Sequence, residues 1–144
     1  MPIAQKAVQL FTKPIPRVIS PRAHFALDYI SAGVLLASTV ALWPRNRRAA
    51  LGAAICGVAD LATATLTTRP GGARRPFSFR THGRIDWGLA TMTAMMPEFL
   101  DIEDSPQSRL FFTHSLVKTA VVGLTNFGAN RSDQRQSLLR RQAA

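Results

Sequence analysis

Four long apolar stretches, separated by short blocks that hold most of the charges, constrain this sequence most strongly. They cover residues 25–43, 49–68, 85–102 and 110–128. A helix needs about 20 apolar residues to cross the hydrocarbon core of a bilayer. The third stretch contains Pro97, so we predict that its helix kinks or stops near Met96. The pattern as a whole predicts four membrane-spanning helices.

The basic residues predict how these helices are oriented. The net charge is +10, from 18 Lys and Arg against 8 Asp and Glu, and most of the basic residues lie in the leader, the middle connector and the tail. Cytoplasmic segments carry such an excess in membrane proteins. We therefore predict a multi-pass protein of the bacterial inner (cytoplasmic) membrane with both termini in the cytoplasm. Basic residues in connectors, and not on a folded face, favour anionic lipid headgroups as a partner and argue against nucleic acid.

An internal similarity indicates how the helices are grouped. Residues 20–29 and 78–87 share the pattern S-x-R-x-H-x-x-x-D-aromatic at an offset of 58 residues, and nine identities lie between positions 20 and 67 at that offset. Similarity at a fixed period is typical of repeats. Each unit starts on the same side of the membrane, so the predicted fold is an all-α, four-transmembrane-helix bundle built from two tandem parallel helix-pair repeats.

Five segments follow from this pattern. They are a cytoplasmic or interfacial leader (1–19), helix-pair repeat 1 (20–70), a cytoplasmic connector (71–77), helix-pair repeat 2 (78–128) and a basic cytoplasmic tail (129–144). The leader is either a short interfacial helix or disordered. Ser20-Pro21 and Ser105-Pro106 each predict a helix start, with serine as the N-cap and proline at the first helical position.

The repeated H-x-x-x-D-aromatic opening resembles that of the SPW-repeat family of small bacterial membrane proteins. In that family a Ser-Pro-Trp signature follows along the same helix. The matching positions here are 38–40 and 96–98, where the first copy keeps Ser38, the second keeps Pro97 and neither has the tryptophan. The resemblance covers residues 20–128 and implies a small integral membrane protein, with no known reaction attached.

Several ionisable side chains fall inside the predicted spans, where a charge costs at least about 2.5–3.5 kcal/mol. Asp60 and Lys118 occupy equivalent positions in the two repeats, so we predict that they pair across the symmetry axis. Each repeat also has a histidine and an aspartate four residues apart, on one helix face. The predicted intramembrane polar network contains His24, Asp28, Asp60, His82, Asp86 and Lys118.

Four roles for this network remain open. Hydrogen bonding that locks helix packing is the simplest. Two histidines and two aspartates would also suit zinc or iron. A haem could be held by His24 and His82, or with the participation of His114. Proton or ion movement is the fourth role. Arg22 and Arg80 precede the histidines and are predicted to contact lipid headgroups.

The small size and short loops favour a non-enzymatic accessory, assembly or scaffold subunit of a membrane complex. The predicted partners are therefore the bilayer and other membrane subunits, or further copies of this chain. No cofactor is predicted. The alternatives are a haem- or metal-binding redox membrane protein and a small proton or ion pathway.

Overall fold

The fold consists of four α-helices in a computed structural model that describes residues 16–69 and 71–128. The helices are α1 (Pro21–Leu42), α2 (Arg47–Thr65), α3 (Phe79–Phe99) and α4 (Ser108–Leu124). The all-α, four-helix prediction is confirmed for these residues. The tail and the first fifteen residues of the leader lie outside the described residues, and with them the choice between an interfacial helix and disorder.

One of the two predicted serine-proline helix starts is confirmed. Ser20 caps α1, with its side chain accepting from the Ala23 N–H, and Pro21 follows at the first helical position. The second prediction is wrong, because α4 begins only at Ser108. There the Ser105 hydroxyl donates to the Ile102 carbonyl of the preceding turn at 2.7 Å, so it does not cap a helix.

The predicted stop near Met96 is close to the observed helix end, because α3 continues through Pro97 and ends at Phe99, three residues beyond Met96. A proline this close to a helix end removes a hydrogen bond from a segment that is already ending. The end itself has the geometry of a Schellman motif. The Ile102 N–H donates to the Pro97 carbonyl at 2.9 Å, and Asp101 adopts a φ of 55°.

The helices pack as two hairpins, α1 with α2 and α3 with α4, and α2 also packs against α3. An apolar cluster fills the half of the bundle near the loops at 43–46 and 100–107. Several buried residues of α2 are small, which allows its neighbours to approach closely. The cluster contains Leu35, Ala49, Ala53, Cys56, Met96, Ile102 and Phe111.

At the other end, two isolated parallel bridges join the start of one helix to the end of another. Ile19 pairs with Thr125, and Phe77 pairs with Thr67. The Ile19 N–H donates to the Leu124 carbonyl at 3.0 Å, and the Phe77 N–H donates to the Leu66 carbonyl at 3.1 Å. These two bridges are equivalent at the 58-residue offset, and they bring each threonine close to the helix start of the other hairpin.

Of the described helices, α1 alone is long and apolar enough to pass as a membrane span by length and composition. Its most apolar window has a mean hydropathy of 1.7. The helix α4 has 17 residues, or about 26 Å at a rise of 1.5 Å per residue, slightly less than the hydrocarbon core of a bilayer. Four complete spans therefore remain a prediction.

Gly52 lies where α2 approaches the apolar cluster most closely. A Cβ at this position would lie 2.5 Å from Leu100 Cδ1 and 3.0 Å from both Met96 Cγ and Phe111 Cζ. Gly52→Ala should therefore destabilise the protein by about 1–3 kcal/mol through overpacking, measured by thermal unfolding in detergent. Gly33→Ala in α1 is the matched control, since nothing lies within 4 Å of its Cβ position. Equal unfolding temperatures for the two variants would contradict this packing.

Candidate metal centre

The half of the bundle opposite the apolar cluster is filled by ionisable side chains that are almost completely buried. His24, His82 and Asp86 are fully shielded from solvent, and Asp28 is 3% exposed. Asp28 and Asp86 each follow a histidine by four residues, so one turn of α1 and one turn of α3 present the same pair of groups. The helix faces predicted from the sequence therefore point at each other across the bundle.

Four atoms from these residues converge on one point. His82 Nε2 lies 2.9 Å from Asp28 Oδ2 and 3.1 Å from Asp86 Oδ2. His24 Nε2 lies 3.0 Å from Asp86 Oδ2 and 3.3 Å from Asp28 Oδ2. The two Nε2 atoms are 3.2 Å apart. His24 and His82 therefore each contact both carboxylates, and each hairpin contributes one histidine and one aspartate.

Two threonines determine which imidazole nitrogen carries the proton. The Thr125 hydroxyl donates to the Val121 carbonyl at 2.6 Å, so its oxygen accepts from His24 Nδ1 at 2.8 Å. The Thr67 hydroxyl donates to the Thr63 carbonyl and likewise accepts from His82 Nδ1, at 3.0 Å. A neutral histidine with Nδ1 protonated has a lone pair on Nε2. Both lone pairs therefore face the centre.

The spacing of these four atoms fits a cation bound between them. Around an ion bound at about 2.0 Å, tetrahedral ligands lie about 3.3 Å from one another. Five of the six separations between the four atoms are 2.9–3.3 Å, and all of the atoms lie within 4.8 Å of one another. The alternative is protonation of the Nε2 atoms, in which His24 donates to Asp86 at 3.0 Å and His82 donates to Asp28 at 2.9 Å. The donor set is the N2O2 combination that suits zinc.

Lys118 supplies a fixed positive charge beside this centre. Its Nζ lies 3.1 Å from Asp86 Oδ1, 3.2 Å from Asp60 Oδ1 and 3.6 Å from Asp28 Oδ1. The structure thus brings together the Asp60–Lys118 pair predicted from the sequence, and it adds two carboxylates that were not predicted as partners. Asp86 Oδ1 makes no hydrogen bond of standard geometry among the described residues, so the ammonium is its main compensation.

A divalent cation would balance the charges of the buried groups, as would protonation of both His24 and His82. Three carboxylates and one ammonium leave a charge of −2 when the histidines are neutral. A divalent cation at the centre makes the group neutral, whereas a monovalent cation leaves a buried negative charge, which is costly in a low-dielectric interior. The group therefore matches a divalent ion in charge as well as in geometry.

Aromatic rings surround the two imidazoles. The Phe127 ring centroid lies 5.2 Å from that of His24, and the Phe79 ring stacks on His82 at 6.0 Å. Phe25 also packs beside both histidines. Gly83 makes room for the Phe127 ring, since a Cβ there would meet it at 2.6 Å. These contacts shield the centre from water and strengthen its electrostatic interactions.

His114 does not join the four converging atoms. Its Nε2 lies 3.3 Å from Asp60 Oδ2 and 3.1 Å from the Ser31 hydroxyl, in a separate arm of the network. A haem between His24 and His82 has no support from the geometry, because two Nε2 atoms 3.2 Å apart leave no room for a porphyrin plane.

Sequence reasoning did not name Thr67, Thr125 or Ser31 as members of the site. A signal for the two threonines was present, because Leu66-Thr67 and Leu124-Thr125 match at the 58-residue offset. Arg22 and Arg80 are exposed near the starts of α1 and α3, outside the polar cluster, and their contact with headgroups remains a prediction.

Comparisons of this chain with protein-family profiles, with curated proteins and with solved structures find no match. The resemblance to the SPW-repeat family therefore depends on the sequence motif alone.

Lys118→Met should destabilise the protein by about 3–5 kcal/mol, because it leaves three buried carboxylates without their fixed cation. The double variant Asp60→Leu with Lys118→Met should recover only part of this loss, since Asp28 and Asp86 also lose a partner. Thermal unfolding in detergent measures both effects. Arg109→Met is the matched control, because it removes an exposed charge from the same helix. If Lys118→Met is as stable as this control, the ammonium does not stabilise the cluster.

Proposed function

We propose that this chain is a small integral membrane protein that binds one divalent transition-metal ion, with zinc as the best fit, between its two helix pairs. His24, Asp28, His82 and Asp86 are the proposed ligands. One observation carries the proposal: hydrogen bonds to two threonines turn both imidazole lone pairs toward two carboxylates at tetrahedral spacing. This outer shell is typical of metal sites, where a second hydrogen bond fixes the orientation of each ligating histidine.

A structural role for the ion is supported by its ligands. Four protein atoms complete a tetrahedral shell, and closed shells of this kind are typical of structural zinc, whereas catalytic zinc keeps a position open for water or substrate. Each hairpin contributes half of the ligands, so the ion would join the two hairpins. This supports the accessory or scaffold role over an enzyme.

The distribution of polarity supports the membrane location. The interior contains His24, Asp28 and Lys118, while large apolar side chains cover the outside. Water as solvent would favour the reverse arrangement. Lipid imposes this one, because it accepts apolar surface and excludes charges. The exposed apolar residues occur on all four helices and include Ile30, Val34, Ile55, Val58, Trp87, Met95, Phe112 and Leu116.

An ion pathway through the bundle has less support. The ionisable groups occupy one half of the described bundle, and the apolar cluster with Leu35, Met96 and Phe111 fills the other half. An ion that crossed would leave its ligands for a tightly packed hydrocarbon region.

Detergent-purified protein should contain about one zinc ion per chain by plasma mass spectrometry, and Co²⁺ in its place should give the intense visible absorption of a tetrahedral site. His82→Gln should abolish stoichiometric binding. Thr67→Val should weaken it roughly 10–100-fold through loss of ligand orientation. His114→Gln tests the remaining histidine and should retain the metal. The proposal fails if no divalent ion binds stoichiometrically, or if His114→Gln loses as much metal as His82→Gln.

The membrane topology is tested separately. The protein should stay in the membrane fraction after an alkaline carbonate wash. Alkaline phosphatase, which is active only outside the cytoplasm, should be inactive when fused to the C-terminus and active when inserted at residues 43–46. Release of the protein by the wash would contradict the membrane location. An active C-terminal fusion would contradict the proposed orientation.

A further inference from the structure

A cavity opens on the side of the bundle between α1 and α4. Its volume is about 270 Å³, slightly below the usual range of about 300–1,000 Å³ for small-ligand sites. The walls are aliphatic except for Thr113, and the other polar lining residues, Asp28, Ser31, His114 and Lys118, form the base. On α4 the lining extends over eleven residue steps, or about 16 Å at 1.5 Å per residue. The apolar walls are Leu27, Ile30, Val34, Leu110, Val117 and Val121.

The cavity lies where the two helix pairs differ in sequence. At the 58-residue offset, Leu110 corresponds to Gly52 and His114 to Cys56. The small residues Gly52 and Cys56 allow α2 to pack closely against α3. The larger residues at the equivalent positions of α4 hold it away from α1. The two helix pairs therefore differ in sequence at Leu110 and His114, the residues that hold α4 away from α1 and open the cavity.

The base of the cavity has unused hydrogen-bonding capacity. His114 is 8% exposed, and its Nε2 faces both Asp60 Oδ2 and Ser31 Oγ. Because a carboxylate only accepts, the Nε2 proton is directed at Asp60 and Ser31. Nδ1 is then an acceptor, and it has no hydrogen-bond partner among the described residues. The Ser31 hydroxyl hydrogen is likewise free to donate, so the base offers one donor and one acceptor.

The charge balance selects the kind of polar group that fits this base. Asp28 and Lys118 reach the cavity as well as the polar cluster. The cluster is neutral with a divalent ion, and also with two protonated histidines. An anionic group would add an unbalanced buried charge, whereas a neutral oxygen would not.

We propose that this cavity binds a neutral amphipathic molecule from the lipid phase, with a hydroxyl or carbonyl oxygen hydrogen-bonded at Ser31 and His114 and an alkyl chain between α1 and α4. This proposal depends on the membrane location proposed above, since the cavity opens on the surface that lipid would cover. It does not depend on the metal ion.

The test is calorimetric titration of the purified, metal-analysed protein with 1-dodecanol, a decyl-substituted benzoquinone and dodecanoate, with native mass spectrometry for stoichiometry. One dodecanol or one quinone should bind per chain, and dodecanoate should bind at least about tenfold more weakly. The two neutral probes distinguish a hydroxyl from a carbonyl ligand. Ser31→Ala should weaken binding about tenfold, the loss expected for one hydrogen bond.

Val34→Trp fills the cavity and should abolish binding. Val58→Trp is its matched control, since it adds the same side chain to an exposed position of α2 that does not line the cavity. Both variants should retain membrane insertion and metal. The cavity proposal is overturned if the two variants bind the neutral probes equally well, or if dodecanoate binds as tightly as dodecanol. Release of the protein by the carbonate wash would overturn the membrane location instead. The wash measures membrane retention and does not involve ligand binding, so the two failures can be distinguished.

Discussion

Three buried carboxylates set the central constraint on this fold. An uncompensated carboxylate in a low-dielectric interior is too costly to persist, so each must meet a cation or a hydrogen-bond donor. Lys118 reaches all three, but its single charge cannot balance them. The remaining compensation comes from His114 at Asp60, and from the point where His24 and His82 meet Asp28 and Asp86. The compensation of these carboxylates depends on the spacing of the helices, on the threonine hydrogen bonds that orient the histidines, and on the aromatic rings that exclude water.

Both hairpins contribute to this compensation, because each one orients a histidine of the other. Thr67 of the first hairpin orients His82 of the second, and Thr125 of the second orients His24 of the first. The parallel bridges at Ile19 and Phe77 hold the threonines in place. The shortest carboxylate contact of each of these histidines comes from the other hairpin, which makes docking of the two hairpins a condition for burying them. This reciprocity supports the proposed duplication.

Much of this arrangement could be predicted from the sequence because it follows from periodicity. The four-residue spacing of His24 and Asp28 places them on one face in any helix, and the 58-residue offset identifies Asp60 and Lys118 as equivalent positions. The sequence could not predict the distances between side chains on different helices. Nothing in it shows that both histidines reach both carboxylates, or that Lys118 reaches beyond Asp60. The error at Ser105 has a physical cause: near helix ends, local hydrogen bonds decide the boundary more than residue preference does.

The contact between Asp60 and Lys118 has a consequence for how such a protein can be built. A homodimer of one helix pair would place the same residue on both sides of its twofold axis, either two carboxylates or two ammonium groups, and each choice is repulsive. Covalent fusion of the two pairs removes that restriction, because each half can then change independently. The opposite charges at this contact, like the different residues at the equivalent positions Gly52 and Leu110, are available to a fused chain and not to a symmetric assembly of its halves.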